Sequence, residues 1–223
     1  MNISVAPTPA LAPLAAQLAE YKAGFATRSA PERIATMEAA TAALRASGIE
    51  RSALERGARV PSVSLPDALG HPVSLAALWS KGPLVVVFYR GGWCPYCNLE
   101  LREWQRLLPT VAARGGTLVA ISPQTPDNSL STAEKNELAF PVLSDSKLDA
   151  ARGFGVLFDM PAELVALYQG AGHDLPVRNG NGQWALPVPA TYVIGMDGLI
   201  RYADVDADYR NRAEPADVLA EFL

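Results

Sequence analysis

The hydrophobic and polar positions of the chain fall into two textures that meet near residue 60. Before it, Leu11, Leu14, Leu18, Tyr21 and Phe25 recur at alternating spacings of three and four, one apolar stripe of a helix. A second helix is expected over "SAPERIATMEAATAALRASG". Ser29 is its candidate cap, Pro31 suits its first turn, Ile34, Met37 and Leu44 form its stripe, and Gly48 stops it. Such stripes suit packing within one chain or the seam of a homodimer.

Beyond Val60 the pattern shortens. "ARVPSVSLPDALGHPVSLAALW" reads as an extended segment, a Pro/Gly turn and a short helix. "PLVVVFY" (83–89) is continuous, β-branched and aromatic, the mark of a strand buried on both faces. "NLELREWQRLLPTVAARGG" is expected as a helix ended by Gly115 and Gly116, "TLVAIS" (117–122) as a second buried strand, "TAEKNELAF" as a helix, "PVLSD" as a third strand and "SKLDAARGFG" as a helix. Strands alternating with helices imply an α/β fold with a mostly parallel sheet covered on both faces. After Phe158 comes an excursion, "DMPAELVALYQGAGHDLPVRNGNGQWALPVPA", read as a helix and then a loop with a turn at "NGNG". Long excursions of this kind are often functional. "TYVI" and "LIRYADV" around Met196-Asp197-Gly198 form a hairpin that adds antiparallel strands to the sheet, and "EPADVLAEFL" closes the chain as a helix.

Composition narrows the function classes. The 223 residues suit one domain with an extension: a helical extension over 1–59 and an α/β domain over 60–223 with an insertion near 159–188. The net charge of −4 and the lack of a Lys/Arg-rich run argue against nucleic acid and anionic membranes as partners. Residues 197–223 hold seven acids against three arginines and read as a solvated acidic face. No apolar run approaches the roughly 18 residues of a membrane span. The first twenty residues lack the basic start and apolar core of a secretion signal, so the expected location is cytoplasmic.

The chemistry concentrates in "GGWCPYCNLEL" (91–101), which holds the only two cysteines of the chain. A strand ending near Tyr89 and a helix starting near Cys94 place that sulfur at a helix N-terminus. Free N–H groups and the positive end of the macrodipole there favour a thiolate, below the ordinary thiol pKa of about 8.5. Pro95 fits a first turn that needs no donor. Cys97 lies one turn on, within disulfide reach. The residues alone leave open a redox pair, part of a metal site or two inert core thiols. A metal would need further ligands, and His71 and His173 are not in a zinc pattern.

"FYRGGWCPYCNLEL", "LVAISPQTPDNSLSTAEKNELAFPVLSD" and "LPVPATYVIGMDGLIRY" resemble the peroxiredoxin-like branch of the alkyl hydroperoxide reductase/thiol-specific antioxidant family over roughly residues 60–220. The resemblance implies a thioredoxin fold and a thiol-dependent peroxidase. Cys94 would attack a small hydroperoxide and become a sulfenic acid, and Cys97 would condense with it to a disulfide. An external thiol such as thioredoxin or glutathione would reduce the pair, with no metal or organic cofactor.

The sequence also departs from that pattern. Ordinary members place Thr or Ser three residues before the attacking cysteine, where this chain has Gly91, and supply an Arg near a segment like "TYVI", where it has Pro189 and Ala190. Arg90 is the candidate substitute, or else an exposed charge at a strand end. Trp93 and a proline before the next-to-last strand resemble thioredoxins instead, which makes a thiol–disulfide oxidoreductase acting on proteins the alternative. That resemblance implies a cis Val188–Pro189 bond against the cysteine pair. The buried Asp of thioredoxins is replaced by Phe88. His173 is expected as a surface loop histidine, Tyr96 facing solvent or a partner, and Trp184 as either a roof over the site or packing on the sheet.

Overall fold

The computed structural model describes residues 12–221. Leu11, the first residue of the expected stripe, and the last two residues of the closing segment lie outside the described residues. In chain order the elements are α1 (Leu14–Arg28), α2 (Pro31–Ala46), α3 (Ile49–Ser52), β1 (Ser64–Pro66), β2 (Pro72–Ser74), α4 (Leu75–Trp79), β3 (Leu84–Phe88) and α5 (Pro95–Ala113). Then follow β4 (Thr117–Ser122), α6 (Pro126–Lys135), β5 (Val142–Ser144), α7 (Asp149–Gly153), β6 (Leu157–Asp159), α8 (Ala162–Gly170) and α9 (Leu175–Asn179). The chain closes with β7 (Ala185–Pro187), β8 (Ala190–Ile194), β9 (Ile200–Val205), α10 (Pro215–Val218) and a short 3₁₀ turn.

The main sheet runs β5-β4-β3-β8-β9. β3, β4 and β5 are parallel, and β8 and β9 add antiparallel, as the hairpin pattern predicts. Alternate residues of each central strand feed opposite cores. Val85, Val87, Leu118 and Ala120 face α1 and α5, whereas Val86, Phe88, Val119 and Ile121 face the layer with Leu75, Phe154 and Tyr192. Burial on both faces accounts for the unbroken apolar runs, since each such side chain contributes about 1.5–3 kcal/mol when fully removed from water.

Three local expectations are corrected. Ser29 does not cap α2: it is extended, Ala30 precedes the helix without a side-chain cap, and Pro31 takes the first turn. The helix expected over "TAEKNELAF" starts earlier, at Pro126, and ends at Lys135, because Glu137 takes a left-handed φ of 52°. The excursion is not a plain loop after α8: α9 follows, and β6 and β7 pair antiparallel across it, Phe158 opposite Leu186.

Within the acidic segment, the acids between 204 and 214 do not form a solvated face either, whereas Asp197 and Asp217 are exposed. Asp206 pairs with Arg45, Asp208 with Arg210 at 2.7 Å, and Asp204 accepts the N–H of Ala213 at 3.1 Å. Glu214 accepts the N–H groups of Leu14 and Ala15 at 3.3 and 3.2 Å, at the positive end of α1. Residues 206–214 therefore form a strap that ties the C-terminal part of the chain to the N-terminal helices.

Phe88 packs edge-on against Phe154 with ring centroids 4.9 Å apart and against Tyr192 at 6.2 Å. Phe88→Ala is expected to cost roughly 3–5 kcal/mol, read as a lower midpoint in denaturant unfolding.

Candidate active site

Residues 89–94 carry the chain from the end of β3 to the start of α5. Gly91 sits at φ 140°, where a Cβ would lie 2.4 Å from Trp93 Nε1. The absent Thr or Ser thus has no room at position 91. The turn is pinned by polar contacts: Gly92 N–H donates to Gln124 Oε1 at 2.7 Å, Asn98 Nδ2 donates to Gly92 O at 2.9 Å, and Asn136 Nδ2 donates to Asn98 Oδ1 at 3.1 Å.

Cys94 is the N-cap residue of α5, and Pro95 opens the helix. Cys94 N–H donates to Gly91 O, and the Cys94 carbonyl accepts from Asn98 N–H, at 3.0 and 3.1 Å. Cys97 follows one turn later, and both are free thiols. Cys94 is 1% exposed and Cys97 0%. Burial works against ionising Cys94. A hydrogen bond from the Cys97 thiol and the positive charges of Arg90 and Arg212 outweigh it and bring Cys94 down to about 6. Cys97 moves the other way, well above the usual thiol range, through burial and the neighbouring Cys94 anion. The two sulfurs are thus pushed in opposite directions, Cys94 toward the thiolate and Cys97 toward the neutral thiol.

Arg90 is not an exposed strand-end charge; it is 3% exposed. Its guanidinium lies 4.1 Å from the ring centre of Tyr209, 5.0 Å from Trp93 and 5.6 Å from Tyr168, and its Nη2 donates to Tyr168 Oη. Its Nε is buried without a hydrogen-bond partner. Arg212, from the strap, donates from Nη2 to Cys97 Sγ at 3.4 Å and from Nε to Glu100 Oε2 at 2.7 Å. Phe88, at the position of the thioredoxin Asp, belongs to the opposite core and offers no proton acceptor.

Cys94 lines a cavity of about 170 Å³. The helical extension supplies Tyr21, Phe25, Arg33 and Met37, the excursion Tyr168 and His173, and the strap Tyr209. His173 is thus drawn out of the surface-loop role: it is half-buried, its ring lies 5.4 Å from Trp93, and burial lowers its pKa. Tyr96 is buried rather than facing solvent, its ring 5.0 Å from Tyr21 and 5.6 Å from Tyr209. Trp184 packs beside Met160, Leu164 and Leu186 and does not line this cavity.

Pro189 departs from its expected place. No cis peptide bond occurs among the described residues. The Val188–Pro189 bond is trans and links β7 directly to β8. Pro189 lines a neighbouring apolar cavity of about 340 Å³, with Leu44, Phe158 and Val188, that shares Arg90 and Tyr209 with the first.

Arg212, Glu100, Tyr168 and Tyr209 were not singled out in the sequence. The one signal available was Tyr209 and Arg212 three residues apart within an otherwise acidic stretch. Among the described residues there is no cluster of His, Cys, Asp and Glu able to hold a metal ion, and no helix is long and apolar enough to cross a membrane.

The family model described as "AhpC/TSA family" matches residues 56–203. A Mycobacterium tuberculosis protein named "Putative peroxiredoxin MT1643" is 32% identical over 112 residues, covering 50% of this chain and 73% of that protein. "Thiol-disulfide oxidoreductase ResA" of Geobacillus kaustophilus is 28% identical over 108 residues, 48% of this chain and 61% of that protein. The crystal structure of "Peroxidoxin BcpB from Mycobacterium tuberculosis" superposes with a TM-score of 0.62 at 24% identity, over 76% of this chain and 96% of that one, and shows the thioredoxin-type fold.

Alkylation of Cys94 by iodoacetamide is expected to rise as pH climbs through about 6, as the thiol becomes thiolate, and then to level off. Peptide mapping across a pH series checks it; a rise centred near the ordinary thiol pKa of about 8.5 contradicts it.

Proposed function

This chain belongs to the AhpC/TSA family and is a peroxiredoxin-like thiol peroxidase, and on that premise we propose that Cys94 is the attacking sulfur and Cys97 its resolving partner. The carrying observation is the split pair: Cys94 lines the cavity and is lowered to about 6, while Cys97 does not line it and is raised. The Cys94 thiolate attacks the outer oxygen of a hydroperoxide. The O–O bond breaks, the leaving alkoxide or hydroxide takes a proton from water, and Cys94 is left as sulfenic acid. The Cys97 thiol then attacks that sulfur, the S–O bond breaks, and the hydroxyl leaves with the thiol's proton as water. Two equivalents of an external thiol, of the two expected donors glutathione rather than thioredoxin because it is small enough to enter the cavity, return the disulfide to two thiols and leave as a disulfide.

Arg90 takes the place of the absent Thr and Arg. It lines the cavity beside Cys94, and its charge and unpartnered Nε would stabilise the oxygen that gains charge as the O–O bond breaks. Trp93 and Pro95 line the cavity and shape it, and Pro189 acts from the second cavity, which Arg90 also lines. Tyr21, Phe25, Arg33 and Met37 from the helical extension and Tyr168 and His173 from the insertion wall the cavity and restrict it to small substrates. That access favours a hydroperoxide over a protein disulfide, the substrate of the thioredoxin-like alternative. A cycle resting on a reducible pair suits a reducing compartment, the cytoplasm.

Stopped-flow oxidation by hydrogen peroxide and by an organic hydroperoxide tests this reading. Cys94→Ser is expected to abolish the fast phase. Cys97→Ser is expected to keep it but to stop at a sulfenic acid that dimedone traps. A Cys94 that reacts no faster than free cysteine at matched pH contradicts the proposal.

A further inference from the structure

We propose that Arg212 is a catalytic residue of the reductive half-cycle, the group that stabilises Cys97 as the departing thiolate, and that Glu100 is the positioning residue that aims it. The inference rests on the reading that Cys94 and Cys97 cycle through a disulfide. Access decides which sulfur is attacked. Cys94 lines the cavity, whereas Cys97 is buried behind it and does not. An external thiolate therefore bonds to Cys94 Sγ, the S–S bond breaks, and its electron pair goes to Cys97 Sγ. That sulfur must carry the negative charge where water cannot hydrate it, which is costly unless a cation is already in place.

Arg212 is that cation, and each nitrogen of its fork has a partner. Nε donates to Glu100 Oε2 at 2.7 Å, Nη1 donates to the carbonyls of Tyr209 and Asn211, and Nη2 donates to Cys97 Sγ at 3.4 Å. The Arg212 side chain is 3% exposed and that of Glu100 0%. Glu100 stands three residues beyond Cys97 on α5, and its other oxygen accepts from Thr191 Oγ1 on β8 at 3.4 Å. Helix, sheet and strap thus converge to hold one N–H against one sulfur. Arg90 differs: it lines the cavity beside Cys94 and serves the attack on peroxide. Both cations bias both sulfurs, but only Arg212 donates a hydrogen bond to Cys97 Sγ. The Cys97 thiolate afterwards takes a proton from solvent or from the incoming thiol, and a second equivalent of that thiol resolves the mixed disulfide on Cys94.

The disulfide is prepared with diamide, so the test runs whether or not peroxide oxidises the pair; failure of the peroxidase reading would show only in the hydroperoxide assay. Reduction by dithiothreitol is followed by stopped flow, and alkylation of Cys94 is measured separately in the Cys97→Ser background. Arg212→Gln is expected to slow reduction about tenfold or more, because a less stabilised leaving thiolate departs more slowly. The same substitution should slow Cys94 alkylation by a clearly smaller factor. Arg212→Lys, which keeps the charge without the fork, is expected to fall between wild type and Arg212→Gln. If Arg212→Gln does not fold, Arg212→Lys alone is expected to slow reduction more than alkylation. Reduction at the wild-type rate in a folded variant, or equal slowing of both steps, overturns the proposal.

Discussion

Two buried cations beside two buried sulfurs form the constraint on which the rest of this structure depends. A guanidinium taken from water costs several kcal/mol unless neighbours replace the lost hydration. Arg90 finds three aromatic faces and the hydroxyl of Tyr168; Arg212 finds Glu100 and two backbone carbonyls. Those partners leave positive charge at the pair, and Cys94 answers it by ionising against its own burial. Cations and thiolate are mutually stabilising, so neither is fully at ease without the other.

That arrangement explains why elements far apart in sequence are tied together. The strap over 206–214 brings Tyr209 against Arg90 and Arg212 against Cys97, and it is held in turn by Arg45 on α2 and by Glu214 at the start of α1. The excursion contributes Tyr168 and His173 to the same cavity. The sheet and α5 place the sulfurs; the extension, the excursion and the strap determine what reaches them.

Much of this was legible along the chain. The buried strands, the hairpin and the helix start at Cys94 follow from local pattern, because burial on two faces and helix termini leave marks within a few residues. Alternation of strand and helix pointed to the α/β sheet, and the resemblance to the family named the fold. What stayed hidden depends on contacts between distant residues. Glu100 reads as one more polar position on a helix until Arg212, 112 residues later, closes on it. Tyr96 and His173 look exposed until α1 and Tyr209 cover the one and Trp93 stacks near the other. The cis proline was an inference from likeness alone, and the extended run through Val188 and Pro189 did not bear it out. The helix start was rightly placed, yet what lowers the sulfur includes a hydrogen bond from Cys97 and the charges of two arginines, which no local motif announces.

The central claim, that the arginines rather than the helix end alone keep Cys94 ionised, is most directly tested by titrating thiolate absorbance near 240 nm in wild type and in Arg90→Met, with unfolding monitored alongside. The account predicts a Cys94 pKa near 6 in the wild type. In the folded variant it predicts a rise of roughly one to three units, as expected when a close opposite charge is removed. A titration unchanged by the loss of Arg90 would contradict it.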